Sequence, residues 1–191
     1  FLALHPKSGE MFKAGQKNMP GGVPMSWMAK WPGAYPVFVE NAKGARFTDV
    51  DGNTYIDFCL GDTGSMTGHS PDATVAAIRE QAGKGITAML PTADAAIVSA
   101  ELAARFGLPL WQFTVSATDA NRHVIRYSRM ITGRSKIVVI DRCYHGSVDE
   151  TFATLDSAGN TVAREGNIGA PVVLDQTTRV VEFNDIAGME K

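Results

Sequence analysis

Cysteine is nearly absent: Cys59 and Cys143 are the only two in 191 residues. Neither falls in a Cys-x-x-Cys or Cys/His ligand spacing. A disulfide framework and a thiolate metal centre are therefore excluded, and a reducing compartment is expected. Excess charge is missing too. Eighteen Lys and Arg against 20 Asp and Glu leave a formal net charge of −2, which gives nucleic acid or an anionic membrane no general electrostatic hold. No apolar run reaches the length of a membrane span, and "FLALHPKSGEMF" breaks at His5, Pro6 and Lys7 before a signal-peptide core is built. These absences predict a soluble, cytoplasmic protein with no nucleic-acid or membrane partner. What is present is a hydrophobic share of 45% with 20% charged residues, the balance of a globular domain with a core. The length suits one good-sized domain, alone or with a small appendage.

Along the chain, "NMPGGVPMSWMAKWPGAYP" (18–36) mixes Pro and Gly with Trp27, Trp31 and Tyr35 and reads as a loop with aromatic anchors. "VFVENAKGARFTDVDGNTYIDF" (37–58) alternates β-forming residues with turns at Asn41–Gly44 and Asp51–Asn53, predicting a short antiparallel meander. A Gly-rich link (60–72) leads to a helix capped by Ser70 with Pro71 at its first position. A second helix starts after Thr92 and stops at Gly107. The rhythm then changes. "LWQFTV" (110–115) reads as a buried strand, 118–132 as an amphipathic helix with Ala120, Val124, Tyr127 and Ile131 on its apolar face, and "IVVI" (137–140) as a second strand. Strand, helix and strand make a right-handed βαβ unit with parallel strands. Residues 155–171 read as an exposed loop, and 177–185 as a further strand.

Ligands of parallel sheets collect beyond the carboxyl ends of the strands. Two loops leave such ends here. Ser116-Ala117-Thr118 opens a helix whose free N–H groups and positive dipole end attract an anion, with hydroxyls to add hydrogen bonds. By itself Ser116 or Thr118 equally fits an ordinary helix cap. "DRCYHG" (141–146) offers Tyr144 to stack on a flat ring, His145 beside it, and Gly146 for a sharp turn. Together the loops suit a ligand with a planar ring and a phosphate. Pyridoxal phosphate and a nucleotide both satisfy that description.

The stretch "FTVSATDANRHVIRYSRMITGRSKIVVIDRCYHGS" resembles the core of the class III, fold-type I aminotransferases, with their Ser-Gly-Thr-Glu-Ala helix start and later Tyr-His-Gly. "MPGGV", "AKGARFTDVDGNTYIDF" and "GHSPD" follow the same family in order and spacing. The resemblance runs from about Met11 to the end and is strongest to the branch holding glutamate-1-semialdehyde aminomutase and related amino-acid transaminases. It implies an α/β fold, pyridoxal-phosphate-dependent transferase fold type I, present incompletely. A small antiparallel β segment (1–64) would precede the first part of a mainly parallel-sheet large domain (65–191). It also implies pyridoxal 5'-phosphate as cofactor, held by Ser116, Ala117 and Thr118, with Tyr144 against the pyridine ring and His145 beside it. Ala117 and Asp119 depart from the family's Gly and Glu. Met25, Trp27 and Asp62 match the positions that face substrate in the aminomutase branch, against the plainer reading of a core Trp and a turn Asp.

The family's reaction needs a Schiff-base lysine and a carboxylate beside the pyridine nitrogen. By family spacing both are expected downstream of "NDIAGMEK", and no lysine of this chain sits in the matching context. The resemblance therefore implies the amino-terminal portion of a homodimeric aminotransferase. Its partners would be a dimer mate, the missing carboxy-terminal half, a small amino donor and a keto acceptor. A 2,1-aminomutase of the same cofactor chemistry is the alternative, as is a non-catalytic fragment that binds a phosphate ligand or a partner chain.

Overall fold

The computed structural model describes residues 1–168 and 173–190. The chain divides into two compact units, Phe1–Pro91 and Thr92–Lys191.

In the first unit, α1 (Pro6–Gly15) begins with Pro at its first position, where a missing N–H costs nothing. The meander forms as read: β1 (Val39–Lys43), β2 (Arg46–Asp49) and β3 (Thr54–Ile56) make one antiparallel sheet in that order. Gly44, at φ +57°, turns the first hairpin. Polar groups hold the centre. Asp49 is 1% exposed, and its carboxylate accepts the N–H groups of Asp51 (3.0 Å) and Asn53 (2.8 Å) and the Tyr55 hydroxyl (2.8 Å). Burial pushes the Asp49 carboxyl up, but its bonds from Asn53 and Tyr55 outweigh burial and leave it below the ordinary range. Asp51 caps α1 from outside the helix, accepting from Lys7 N (2.7 Å) and from Ser8 N and Oγ (3.1 and 2.7 Å). The stretch 18–36 is a loop carrying two short 3-10 turns, Pro20–Gly22 and Ser26–Ala29.

The helix after the Gly-rich link, α2 (Asp72–Ala82), starts one residue later than the sequence suggests, and Ser70 is not its cap. The Ser70 hydroxyl instead donates to Ala42 O at 3.0 Å, which fastens the chain to β1.

In the second unit, α3 (Ala93–Phe106) follows Thr92 and closes on left-handed Gly107. α4 (Ala117–Thr132) closes in the same way on Gly133. β4 (Ile137–Ile140) is parallel to β7 (Thr178–Val181), paired Ile137↔Thr178 through Ile140↔Val181. Between them, β5 (Ala153–Leu155) and β6 (Thr161–Ala163) form a hairpin. Two short helices, α5 (Leu174–Thr177) and α6 (Ile186–Glu190), complete the unit. The core is Val139, Ala153, Leu174 and Val180, with Ile137 and Leu155 packed on it. Asp141, at the end of β4, secures the hairpin by accepting the Thr154 hydroxyl (2.5 Å) and Leu155 N–H (3.0 Å).

Three expectations change here. Residues 110–115 are not a strand. Their apolar pattern fits one, but a strand needs a neighbour's backbone, and among the described residues none pairs with them; β4 takes β7 as its parallel partner. The 155–171 stretch is largely hairpin rather than loop, because Asp156, Gly159 and Asn160 make a tight turn between two short β-forming runs; residues 169–172 lie outside the described set. On α4 the buried side chain is Ile125, while Val124, Tyr127 and Ile131 are exposed. The face that docks runs through Asn121, Ile125 and Arg129, one helical turn apart at each step.

Candidate functional site

The start of α4 is set by Ser116, whose backbone is extended (φ −146°, ψ 161°). Its Oγ accepts Asp119 N–H at 3.2 Å and donates to Asp119 Oδ2 at 2.9 Å. This is an N-cap whose hydroxyl is also tied to the Asp119 side chain, so the Ser116 hydroxyl serves the helix. The cap leaves the N–H groups of Ala117 and Thr118 without partners among the described residues. Two free donors at a positive helix end are the elements of an anion cradle.

The second loop closes on that helix end. Thr118 Oγ1 accepts Ser147 N–H at 2.9 Å and keeps its own proton to donate. Asn121 Nδ2 donates to His145 O at 2.8 Å. Between these bonds lies Gly146, at φ +81° and buried. A Cβ there would stand 2.6 Å from Thr118 Oγ1 and 2.9 Å from Thr118 Cα, so only glycine permits the approach. Thus Ser116, Ala117, Thr118, Tyr144 and His145 are brought into one cluster.

Within this cluster His145 Nε2 is buried and has no hydrogen-bond partner. An orphaned buried ring nitrogen is costly and calls for a partner beyond the described residues. Tyr144 is 68% exposed, its ring free to be covered. The far end of α4 is tied down as well. Arg129 donates from Nη1 to Glu150 Oε1 (2.9 Å) and from Nε to Ser135 O (2.8 Å). Burial pushes the Glu150 carboxyl up, and the Arg129 guanidinium more than offsets this and holds it low.

The other three sequence candidates belong to the first unit. Trp27 is 58% exposed within this chain, and its indole N–H points at Met25 Sδ, 3.3 Å away. Asp62 is exposed, with its backbone in the left-handed region at φ +54°.

Sequence reasoning missed Asn121, which fixes the His145 loop, and the Asp57–His69 pair described below. Asn121 sits one helical turn beyond Ala117, a spacing that brings side chains over the helix start. For the pair, separated by 12 residues, no local pattern gives a signal. Among the described residues, no helix is long and apolar enough to cross a membrane, and no group of three or more His, Cys, Asp or Glu is placed to hold a metal ion.

A family model for class-III aminotransferases matches residues 27–183. The chain belongs to that family. Among its relatives, the glutamate-1-semialdehyde 2,1-aminomutase of Sulfurihydrogenibium azorense is 36% identical over 187 residues, covering 97% of this chain and 44% of the relative. The crystal structure of a glutamate-1-semialdehyde-aminomutase from Pseudomonas aeruginosa PAO1 superposes with a TM-score of 0.93 at 50% identity, over 99% of this chain and 42% of that one. A lysine-to-alanine variant of that protein has been solved in complex with PMP. A transaminase with PLP bound superposes at 0.84 with 34% identity, over 96% of this chain and 43% of that chain. The fold is therefore that of the fold-type I transaminases, and the chain spans less than half the length of the relatives it matches.

Proposed function

We propose that the complete protein is a pyridoxal-phosphate-dependent enzyme that moves an amino group between an amino compound and a keto acid. Supporting observations are the family membership, the relatives solved with PLP and PMP, and above all the closure of the 144–147 loop onto the start of α4. In this reading the N–H groups of Ala117 and Thr118 and the Thr118 O–H bind the phosphate. Ser116 and Asp119 fix the helix end that presents those donors. Tyr144 covers the pyridine ring and excludes water from that face, and His145 Nε2 finds its missing partner on the cofactor's edge. When bound, pyridoxal phosphate supplies the electron sink for charge developing beside the amino nitrogen.

Met25 and Trp27 would form an apolar wall for substrate, and Asp62 would meet a polar or cationic substrate group. The Schiff-base lysine and the carboxylate beside the pyridine nitrogen are expected in the remaining half, and the working molecule as a homodimer. The exposed groove between residues 110–114 and the Val124–Tyr127 face of α4 would be covered by that remaining half.

A second reading, glutamate-1-semialdehyde-type aminomutase, is favoured by the names of the relatives at 36% and 50% identity. The test is to purify the complete protein with pyridoxal phosphate and add amino acids with and without a keto acid. Turnover that requires the keto acid supports transamination. Conversion of glutamate 1-semialdehyde by the pyridoxamine form without a keto acid supports the mutase. A purified protein that neither retains nor responds to the cofactor refutes both and leaves a binding role.

A further inference from the structure

Four consecutive residues of the Gly-rich link occupy the left-handed region: Leu60 (φ 57°), Gly61 (56°), Asp62 (54°) and Thr63 (73°). Three of them carry a Cβ. Left-handed backbone is disfavoured for such residues and is ordinarily visited one residue at a time. A run of four persists only where the surroundings over-determine it.

The surroundings here are specific. On the near side of the run, Asp57 Oδ1 accepts the N–H groups of Cys59 (2.8 Å) and Leu60 (3.0 Å). On the far side, Ser65 Oγ lies 3.1 Å from His69 Nδ1. His69 Nε2 joins the two sides through Asp57 Oδ2 at 2.6 Å. The proton on Nε2 follows from its partner. An ionised Asp57 only accepts, so Nε2 donates to it. The His69 bond holds the Asp57 carboxyl below its ordinary range, and burial opposes it. The pair is sheltered, with side chains 20% and 10% exposed.

Both clamp residues are also fastened to the first hairpin: Asp57 N donates to Ala45 O (2.9 Å), and His69 N to Gly44 O (2.8 Å). Around this rigid base the loop holds Phe58 (90%), Met66 (73%) and Leu60 (41%) in the open.

We propose that Asp57, His69 and Ser65 are positioning residues that hold residues 60–63 in the left-handed turn, and so set where Asp62 meets the substrate. The inference rests on the reading of Asp62 as a substrate contact. No member of the clamp touches the reacting atoms; it acts through the loop.

Two measurements on the complete, cofactor-loaded protein test the proposal. In the first, amide hydrogen exchange is followed in parent, His69→Ala and His69→Gln. Alanine should speed exchange across 60–65 by about tenfold or more, including Ser65 N–H, which is bonded to Leu60 O. Exchange in β2 and β3 should not change. Glutamine, which keeps a donor toward Asp57, should recover much of the protection. In the second, conversion of the cofactor's absorbance by β-phenylalanine, alanine or glutamate 1-semialdehyde gives KM and kcat. His69→Ala should raise KM by roughly 5- to 30-fold with kcat and the cofactor spectrum little changed. Asp62→Ala should raise KM in the parent and add little in the His69→Ala background. Unchanged exchange at 60–65 in His69→Ala overturns the proposal, and so does an equal Asp62→Ala effect in both backgrounds. An Asp62→Ala variant silent in the parent refutes the substrate-contact reading instead; the exchange experiment then decides the clamp alone.

Discussion

Replacing Gly146 with alanine tests the proposed cofactor site at its tightest point. The new Cβ would lie 2.6 Å from Thr118 Oγ1, 2.9 Å from Thr118 Cα and 3.1 Å from Thr118 N. Two of these three neighbours are backbone atoms, so no rotamer change at Thr118 relieves the overlap. A positive φ adds about 1–2 kcal/mol for any residue with a Cβ. The cheapest escape is for the loop to lift from the helix. That movement gives up Ser147 N–H to Thr118 Oγ1 and Asn121 Nδ2 to His145 O, at about 1 kcal/mol each. The lifted loop therefore costs about 2 kcal/mol and carries Tyr144 and His145 with it. If those residues and Thr118 hold the cofactor together, about 2 kcal/mol appears as a roughly 30-fold weaker Kd for pyridoxal phosphate. Stripping the complete protein of cofactor and titrating it back by absorbance measures this directly, and a thermal melt without cofactor reports the loss in the protein alone. A Gly146→Ala variant with the parent's Kd and melting temperature would refute the close approach and the site built on it.

Other outcomes are expected at the same cluster and elsewhere. Thr118→Ala should weaken cofactor retention with circular dichroism unchanged, and retention unaltered both there and in Ser116→Ala would remove the phosphate assignment. Tyr144→Ala should shift the cofactor's visible absorption, and an identical spectrum argues against stacking. The Thr154 hydroxyl and Leu155 N–H hold the Asp141 carboxyl low against burial. A depressed carboxyl stabilises the fold above the unfolded pKa near 3.8, and that contribution is lost as pH falls through the folded value. Asp141→Ala should therefore cost about 2–4 kcal/mol in neutral urea denaturation and remove part of the acid sensitivity below pH 4. Burial, followed by the bond to Asp49, pushes the Tyr55 phenol from 10.0 up to about 12. Its neutral form is fully stabilising below pH 10, and that support fades toward pH 12. The Tyr55→Phe difference spectrum at 295 nm should show no phenolate until above pH 11.

The parts of the fold that were legible in the sequence are those decided locally. The meander of 37–58 has its turns written in Gly44 and in Asp51–Asn53, and the ends of α3 and α4 are written in Thr92, Gly107, Ser116 and Gly133. What failed depended on distant partners. "LWQFTV" carries a strand's composition, but composition does not supply the neighbouring backbone that makes a strand. Ser70 has a cap's identity, yet Ala42 O lies within its reach across the fold and takes its proton. In α4 the eye follows the most apolar face, whereas the docked face is Asn121, Ile125 and Arg129, chosen by Glu150 and the His145 carbonyl. The same division holds for the candidate site. The helix start was visible as Ser-Ala-Thr, but the contact of Gly146 with Thr118 joins positions 28 residues apart and leaves no local trace.

α4 has a further consequence as a mechanical part. Its 16 residues make a rod about 24 Å long, with the proposed phosphate donors at one end and the Arg129 fastening near the other. From Arg129 back to Ser116 is about 20 Å of rod. A tilt of about 5° about the Arg129 end therefore sweeps the donors sideways by about 1.7 Å, more than half the length of a hydrogen bond. Cofactor affinity in this family member should accordingly be sensitive to small changes in how Ile125 and Arg129 seat, at positions that never meet the ligand. Laboratory selection for tighter cofactor retention would be expected to find substitutions there as readily as in the cradle itself.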